Sequence, residues 1–273
     1  MIFSSLGKIF SLENKTLIMG ILNVTPDSFS DGGKFDSVNL AFEHAKKLIS
    51  EGADIIDIGG QSTRPGHIEV DLETEINRVV PIIEKISKEL DCIISIDTYR
   101  YEVAEAAIKA GAHIINDVWG LQRDNGEMAK VAAKYDCVVI AMHNQDSKIY
   151  DTDIILSMKK FFNKTFKIAE ENGLNINKII IDPGIGFGKG YEENISVLNR
   201  LNELSFIAPI LLGVSKKGFI GKDLTLSPDE RVEGTIAVNT LGISKGAKII
   251  RVHNVLEHYK ALSILDKIIY QNI

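Results

Sequence analysis

Short apolar runs alternate with longer amphipathic stretches along the whole chain. The first run, residues 18–24, has the length and bounding of a buried strand. It turns polar at Thr25-Pro26-Asp27, where Pro ends a ladder and Asp favours a turn. Asn23 stands at the switch. Further apolar runs follow at 54–58, 92–96, 113–115, 137–141, 178–181, 210–212 and 248–252. Between and after them, 38–51, 72–90, 101–110, 127–134, 154–172, 194–204, 229–245 and 256–269 carry apolar residues at helical spacing. Gly52, Gly111, Gly173 and Gly246 follow helices as C-terminal stops, and Pro81 marks a candidate kink.

Strict alternation of strand and helix implies a parallel sheet with helical crossovers. Eight such units without a linker or a composition break predict one (β/α)8 barrel domain over residues 1–273, with an open doubly wound sheet as the second reading. Composition agrees with a folded domain of that size. Of 273 residues, 45% are hydrophobic and 25% charged. A net charge of -6 argues against general nucleic-acid affinity. No apolar run is long enough to span a bilayer. The first fifteen residues lack a basic segment followed by a sustained apolar one, so a cytoplasmic protein is expected. Cys92 and Cys137 lie in apolar runs and are expected as buried free thiols. With six His and no ligand spacing, nothing points to zinc.

Polar residues recur where the apolar runs end: Asn23, Asp97, Asn116, Met142-His143, Asp182, Ser215 to Lys217, and Arg251 with His253. In a barrel these positions converge on one face. Each alone has a plain structural role, such as a helix cap for an Asp or a turn for an Asn. Their recurrence in unit after unit is what points to a site. Asp97, Asn116 and Asp182 suit a flat, hydrogen-bonding heterocycle. A carboxylate accepts two parallel N–H bonds from a guanidine-like edge, as in a 2-amino-4-oxo pyrimidine ring. Arg64, Lys217, Arg251 and His253 suit an adjoining anion such as a phosphate or diphosphate. Asn23 offers a neutral oxygen to a hard cation, and Mg²⁺ commonly takes few protein ligands beside phosphate oxygens and water. The glycine-rich stretch 184–190 follows a strand but fits neither common nucleotide-binding pattern. It reads as a flexible turn that lets Asp182 project and Phe187 swing.

At this point the chain resembles the dihydropteroate synthases. The resemblance rests on MGILNVTPDSFSDGG at 19–33, GADIIDIGGQSTRPG at 52–66, SIDTYR at 95–100, INDVWG at 115–120, MHNQ at 142–145, IDPGIGFGK at 181–189, GVSKKGFIG at 213–221 and RVHNV at 251–255. It implies a (β/α)8 barrel that joins 6-hydroxymethyl-7,8-dihydropterin diphosphate to 4-aminobenzoate, with Mg²⁺ as cofactor, in a homodimer that sulfonamides target. By position, Asp97, Asn116, Asp182, Lys217 and Arg251 would hold the pterin, with Met142 against it. Asn23 would bind Mg²⁺. Thr63, Arg64, Arg251 and His253 would hold the diphosphate, and Phe29, Arg64, Pro65, Phe187 and Gly218 would wall the aminobenzoate site. Asp97, Lys217, Arg251, His253 and Arg64 are the expected catalytic set, acting through an SN1-like substitution under closure of segments 25–35 and 61–70. Three positions depart from the usual pattern: Lys216 where Arg is common, Gly218 where Ser is common, and Asn254 where Asp is common. The MHNQ loop also lacks the Gly-Pro continuation seen in many members. These departures bear on aminobenzoate affinity and sulfonamide response more than on the reaction. The rival readings are a pterin-dependent methyltransferase, which has no use for a diphosphate site, and an inactive pterin-binding protein, which has no use for the intact polar set.

Overall fold

The structure, a computed structural model, describes residues 1–24, 34–61 and 69–270. Phe29, Thr63, Arg64 and Pro65, and most of the two segments expected to close, lie outside the described residues. The chain opens with a hairpin of β1 (Ile2–Ser5) and β2 (Lys8–Ser11), which its short apolar pieces had not suggested. Eight parallel strands then close a barrel: β3 (Leu17–Asn23), β4 (Ile55–Gly59), β5 (Ile93–Asp97), β6 (Ile114–Asp117), β7 (Val138–Met142), β8 (Ile179–Asp182), β9 (Ile210–Leu212) and β10 (Ala247–Val252). Each strand pairs with the next in sequence, and β10 closes onto β3. The helices between and after them are α1 (Lys34–Ser50), α2 (Leu72–Glu89), α3 (Tyr101–Ala110), α4 (Glu127–Lys134), α5 (Ile154–Glu171), α6 (Tyr191–Asn199), α7 (Val232–Ser244) and α8 (Val255–Tyr270). The closed barrel replaces the open sheet as a reading. Pro81 sits inside α2, which continues through it. Both cysteines are free; Cys137 is buried as expected, but Cys92 is only partly so, because it precedes β5 instead of lying in it.

Side chains alternate along each strand, because successive residues of a strand face opposite ways. One set faces the helices: Ile18, Ile56, Ile58, Ile94, Ile96, Ile115, Val139, Ile181, Leu212 and Ile250 join Ile83, Val103 and Phe162 in the outer core. The other set faces the barrel axis: Leu17, Met19, Ile55, Ile114, Val138, Ile140, Ile180, Leu211 and Ile249 cluster with Phe3, Phe10 and Leu12 of the hairpin. The hairpin therefore plugs the end of the barrel where the strands begin. Phe3 and Phe10 stack there at 5.2 Å between ring centroids. Ser5 Oγ donates to the His113 carbonyl and accepts from Val138 N, and Lys178 donates to the Ser4 carbonyl, all at strand starts. The inward set that is apolar at the plugged end becomes polar toward the other.

Stability is thus concentrated at one end and chemistry at the other. Phe3→Ala is expected to cost about 3–5 kcal/mol in a denaturant titration while leaving ligand affinity at the opposite rim within about two-fold.

Candidate active site

Inward parity explains which polar residues meet. From Ile55 the next inward positions are Asp57 and Gly59; from Ile93, Ser95 and Asp97; from Ile114, Asn116; from Ile140, Met142; from Ile180, Asp182; from Leu211, Gly213; from Ile249, Arg251 and then His253. The ladder sets their level: Asn23 pairs with Gly59, Gly59 with Asp97, Asp97 with Asn116, and Met142 with Asp182. The missing side chain at Gly59 leaves Asn23 and Asp97 as neighbours: a Cβ there would lie 3.8 Å from Asn23 Oδ1 and 3.7 Å from the Asp97 Cβ. Gly213 leaves a gap of the same kind between Asp182 and Arg251.

Arg251 organises the centre. Its Nε donates to Asp57 Oδ2 and its Nη2 to Asp97 Oδ2, both at 2.6 Å. Asn116 Nδ2 adds a bond to the same Asp57 oxygen at 3.1 Å. Both carboxylates are buried, and the second oxygen of each, Asp57 Oδ1 and Asp97 Oδ1, has no hydrogen-bond partner among the described residues. Two such buried acceptors are costly unless something donates to them. Burial pushes Asp97 up to about 7, against the pull of Arg251 and with help from the Asp57 charge. Burial also opposes the charge on Arg251, but Asp57 and Asp97 outweigh it and hold the guanidinium firmly protonated. Asp182 is raised by burial and restrained by Lys217.

Asp57 is the residue that strand-end reading misses. It lies inside the run 54–58, which reads as an apolar strand. The signal is there: within the strand Ile55–Gly59 it is the lone charge, on the same parity as Gly59. Asp117, next to Asn116, faces the other way and caps its own turn, accepting from Trp119 N at 2.9 Å and Leu121 N at 2.7 Å.

The flanks are braced. Buried Glu75 of α2 accepts from Thr98 Oγ1 at 2.8 Å and Arg100 Nη1 at 3.0 Å, fixing the backbone just beyond Asp97. Ser215 and His253 lock together: Ser215 Oγ accepts from His253 N at 3.2 Å and lies 2.9 Å from Nδ1. Lys217 Nζ donates to the Ile185 carbonyl and stands 4.8 Å from the Phe187 ring centroid. Phe187 packs with Met142, Val118, Tyr99 and Trp119. Lys216, by contrast, pairs with exposed Asp229 at 2.7 Å on the outside. Gly218 opens a short 3₁₀ turn, with open space where a side chain would stand.

The stretch 184–190 is not the flexible turn its glycines suggest. Gly184 and Gly188 have φ of +63° and +52°, and a Cβ on either would strike the His143 or Gln145 carbonyl. The glycines buy close packing here, not freedom. Tyr150 Oη donates to the Gly188 carbonyl at 2.8 Å, and Asn194 Oδ1 accepts from Gly186 N at 2.7 Å. Buried Lys189 ties the Gly184 and Phe187 carbonyls, each at 3.0 Å. His143, expected at the rim with Met142, is buried beneath this loop. Burial and Lys189 push its imidazole down to about 2.

Asn23 is exposed at its strand end, and no cluster of three or more His, Cys, Asp or Glu suited to a metal occurs among the described residues. A single amide oxygen fits a hard cation that draws its other ligands from water and a bound phosphate. It does not fit a metal held by the protein alone.

A family model described as "Pterin binding enzyme" matches residues 19–253. A dihydropteroate synthase of Clostridium beijerinckii is 50% identical over 268 residues, 96% of this chain and 98% of that one. The crystal structure of a Clostridium difficile dihydropteroate synthase in the presence of pteroic acid superposes with a TM-score of 0.93 at 53% identity, covering 96% of this chain and all (100%) of that one. A Xanthomonas albilineans dihydropteroate synthase with 4-aminobenzoic acid superposes with a TM-score of 0.92 at 36% identity, covering 99% and 98%.

The shared guanidinium places the Asp57 charge beside Asp97. Because Asp57 raises Asp97, replacing it should lower Asp97's titration. In the parent protein, carboxyl-carbon NMR is expected to show Asp97 ionising near pH 7. In Asp57→Asn the midpoint moves down, by about a unit or more; an unmoved midpoint would remove the coupling.

Proposed function

The chain belongs to the pterin-binding enzyme family, and on that premise we propose a working assignment for each part of its rim. It is a transferase that condenses 6-hydroxymethyl-7,8-dihydropterin diphosphate with 4-aminobenzoate, giving 7,8-dihydropteroate and pyrophosphate in folate biosynthesis. The observation that carries the assignment is the pair of buried carboxylates on Arg251, each with one oxygen that bonds no group among the described residues. They suit a ligand rich in N–H groups that later becomes positively charged.

Asp97, Asn116 and Asp182 supply the acceptors around the pterin ring, Lys217 a donor for its exocyclic oxygen, and Met142 an apolar face against it. Asp57, through Arg251 and Asn116, fixes where those groups stand. As the bond to the diphosphate weakens, positive charge develops on the exocyclic methylene and spreads into the ring. Asp97, ionised above about pH 7, stabilises it. His253 is assigned to the departing diphosphate, and Arg251 adds its field. Thr63 and Arg64, outside the described residues, are assigned to the same anion, and Phe29, Arg64 and Pro65 to the aminobenzoate wall with Phe187 and the open space at Gly218. Mg²⁺, held by Asn23 and diphosphate oxygens, would spread the charge of the leaving group. The arylamine nitrogen then attacks the methylene from the Phe187 side, and no covalent enzyme intermediate is needed. Closure of 25–35 and 61–70 would exclude water from the cation.

A homodimer is part of the same reading. Leu241 of α7 and Ile264 and Ile268 of α8 are exposed apolar side chains on two helices in contact, and they suit a second copy. A cytoplasmic location suits the substrates, and no helix among the described residues is long and apolar enough to cross a membrane.

Pyrophosphate release measured with each component left out in turn tests the assignment. Release is expected only when the pterin diphosphate, 4-aminobenzoate and Mg²⁺ are all present. Release that ignores 4-aminobenzoate would mark a hydrolase, and release unaffected by chelation would remove Asn23 from a metal role.

A further inference from the structure

Lysine is almost never fully buried unless it is paired, yet Lys189 is 4% exposed and hydrogen-bonds no carboxylate among the described residues. Its three ammonium protons have three close acceptors: His143 Nδ1 at 2.8 Å, the Gly184 carbonyl at 3.0 Å and the Phe187 carbonyl at 3.0 Å. A longer contact reaches the His143 carbonyl at 3.5 Å. Burial pushes the Lys189 amine down to about 7, with Asp182 opposing that fall and Lys217 adding to it. In its protonated form the amine has no lone pair, so Lys189 donates and His143 Nδ1 accepts. The ring is itself held by aromatic packing, 4.8 Å from Phe161 and 6.3 Å from Tyr150 between centroids.

The consequence is local. Lys189 clamps the inner side of the loop to the end of β7, while Phe187 occupies the outer side beside Lys217. The centre of the pterin site is built without this loop: Asp57, Asp97, Asn116 and Arg251 bond to one another and to none of residues 184–189. Of the pterin residues, Asp182 meets it through Gly184 N at 2.7 Å, Lys217 through the Ile185 carbonyl and Met142 through Phe187. We infer that Lys189 is a positioning residue for the arylamine pocket: it sets the stand of Phe187 through the loop carbonyls, and so governs aminobenzoate affinity more strongly than pterin affinity. This rests on the assignment of Phe187 to the aminobenzoate wall.

Steady-state kinetics of the full-length enzyme with both substrates varied tests it. Lys189→Met is expected to raise the KM for 4-aminobenzoate roughly ten-fold or more, with the KM for the pterin diphosphate within about two-fold, because small displacements of a wall side chain are costly to a positioned reactant. Tyr150→Phe removes a neighbouring tie on the Gly188 carbonyl without stranding a buried charge, and is expected to act in the same direction by about three-fold. It decides the matter if Lys189→Met does not fold by circular dichroism. Equal rises in both KM values would make the clamp a general brace and overturn the inference, as would an unchanged aminobenzoate KM in the folded variants. Absence of turnover in the parent enzyme would instead sink the assignment beneath it.

Discussion

Arg251 lies between two buried carboxylates, and the rest of the rim is arranged around that triad. Taking ions out of water costs roughly several kcal/mol for each group. One guanidinium meets part of that cost for Asp57 and Asp97 but leaves an excess of negative charge and two unused oxygens. The site is therefore tuned to receive N–H donors and positive charge. Burial that lifts Asp97 to about 7 and a neighbour that keeps it there are two aspects of the same arrangement. A dissociative substitution makes use of it, because its transition state carries positive charge that complements the two carboxylates.

A triad of this kind holds its geometry only in rigid surroundings. The barrel supplies them through parity, with the inward polar residues stacked above apolar ones that pack against the hairpin plug. Side chains brace the turns beyond the strands. Glu75 holds Thr98 and Arg100; Arg78 donates to the Gly60 carbonyl at 2.8 Å; Ser215 holds His253; Lys189 and Tyr150 hold the loop that carries Phe187. The burden of positioning thus falls on groups that would never touch the substrates.

Much of this was legible in the chain, and the misses share a cause. Strand-and-helix alternation gave the barrel because period 2 and period 3.6 leave different imprints. Asp97, Asn116, Asp182 and Arg251 were found because they follow apolar runs, although the ladder extends through them: β5 ends on Asp97 and β8 on Asp182. Asp57 escaped because a charge inside a run was averaged into it. The hairpin escaped because four-residue strands leave too little pattern. Residues 184–190 were misjudged because glycine content was read as freedom, whereas Gly184 and Gly188 serve close approach to neighbouring carbonyls. A lysine's burial cannot be seen in sequence, so Lys189 looked like any other.

The triad can be tested by a double-mutant cycle of Asp57→Asn and Asp97→Asn, read by calorimetric titration with the pterin diphosphate. If both carboxylates act through Arg251, the losses in binding free energy are not additive, and the coupling falls in the range of about 0.5–3 kcal/mol. Losses that add to within about 0.3–0.5 kcal/mol would mean that the two act independently, and would contradict the central role given to Arg251.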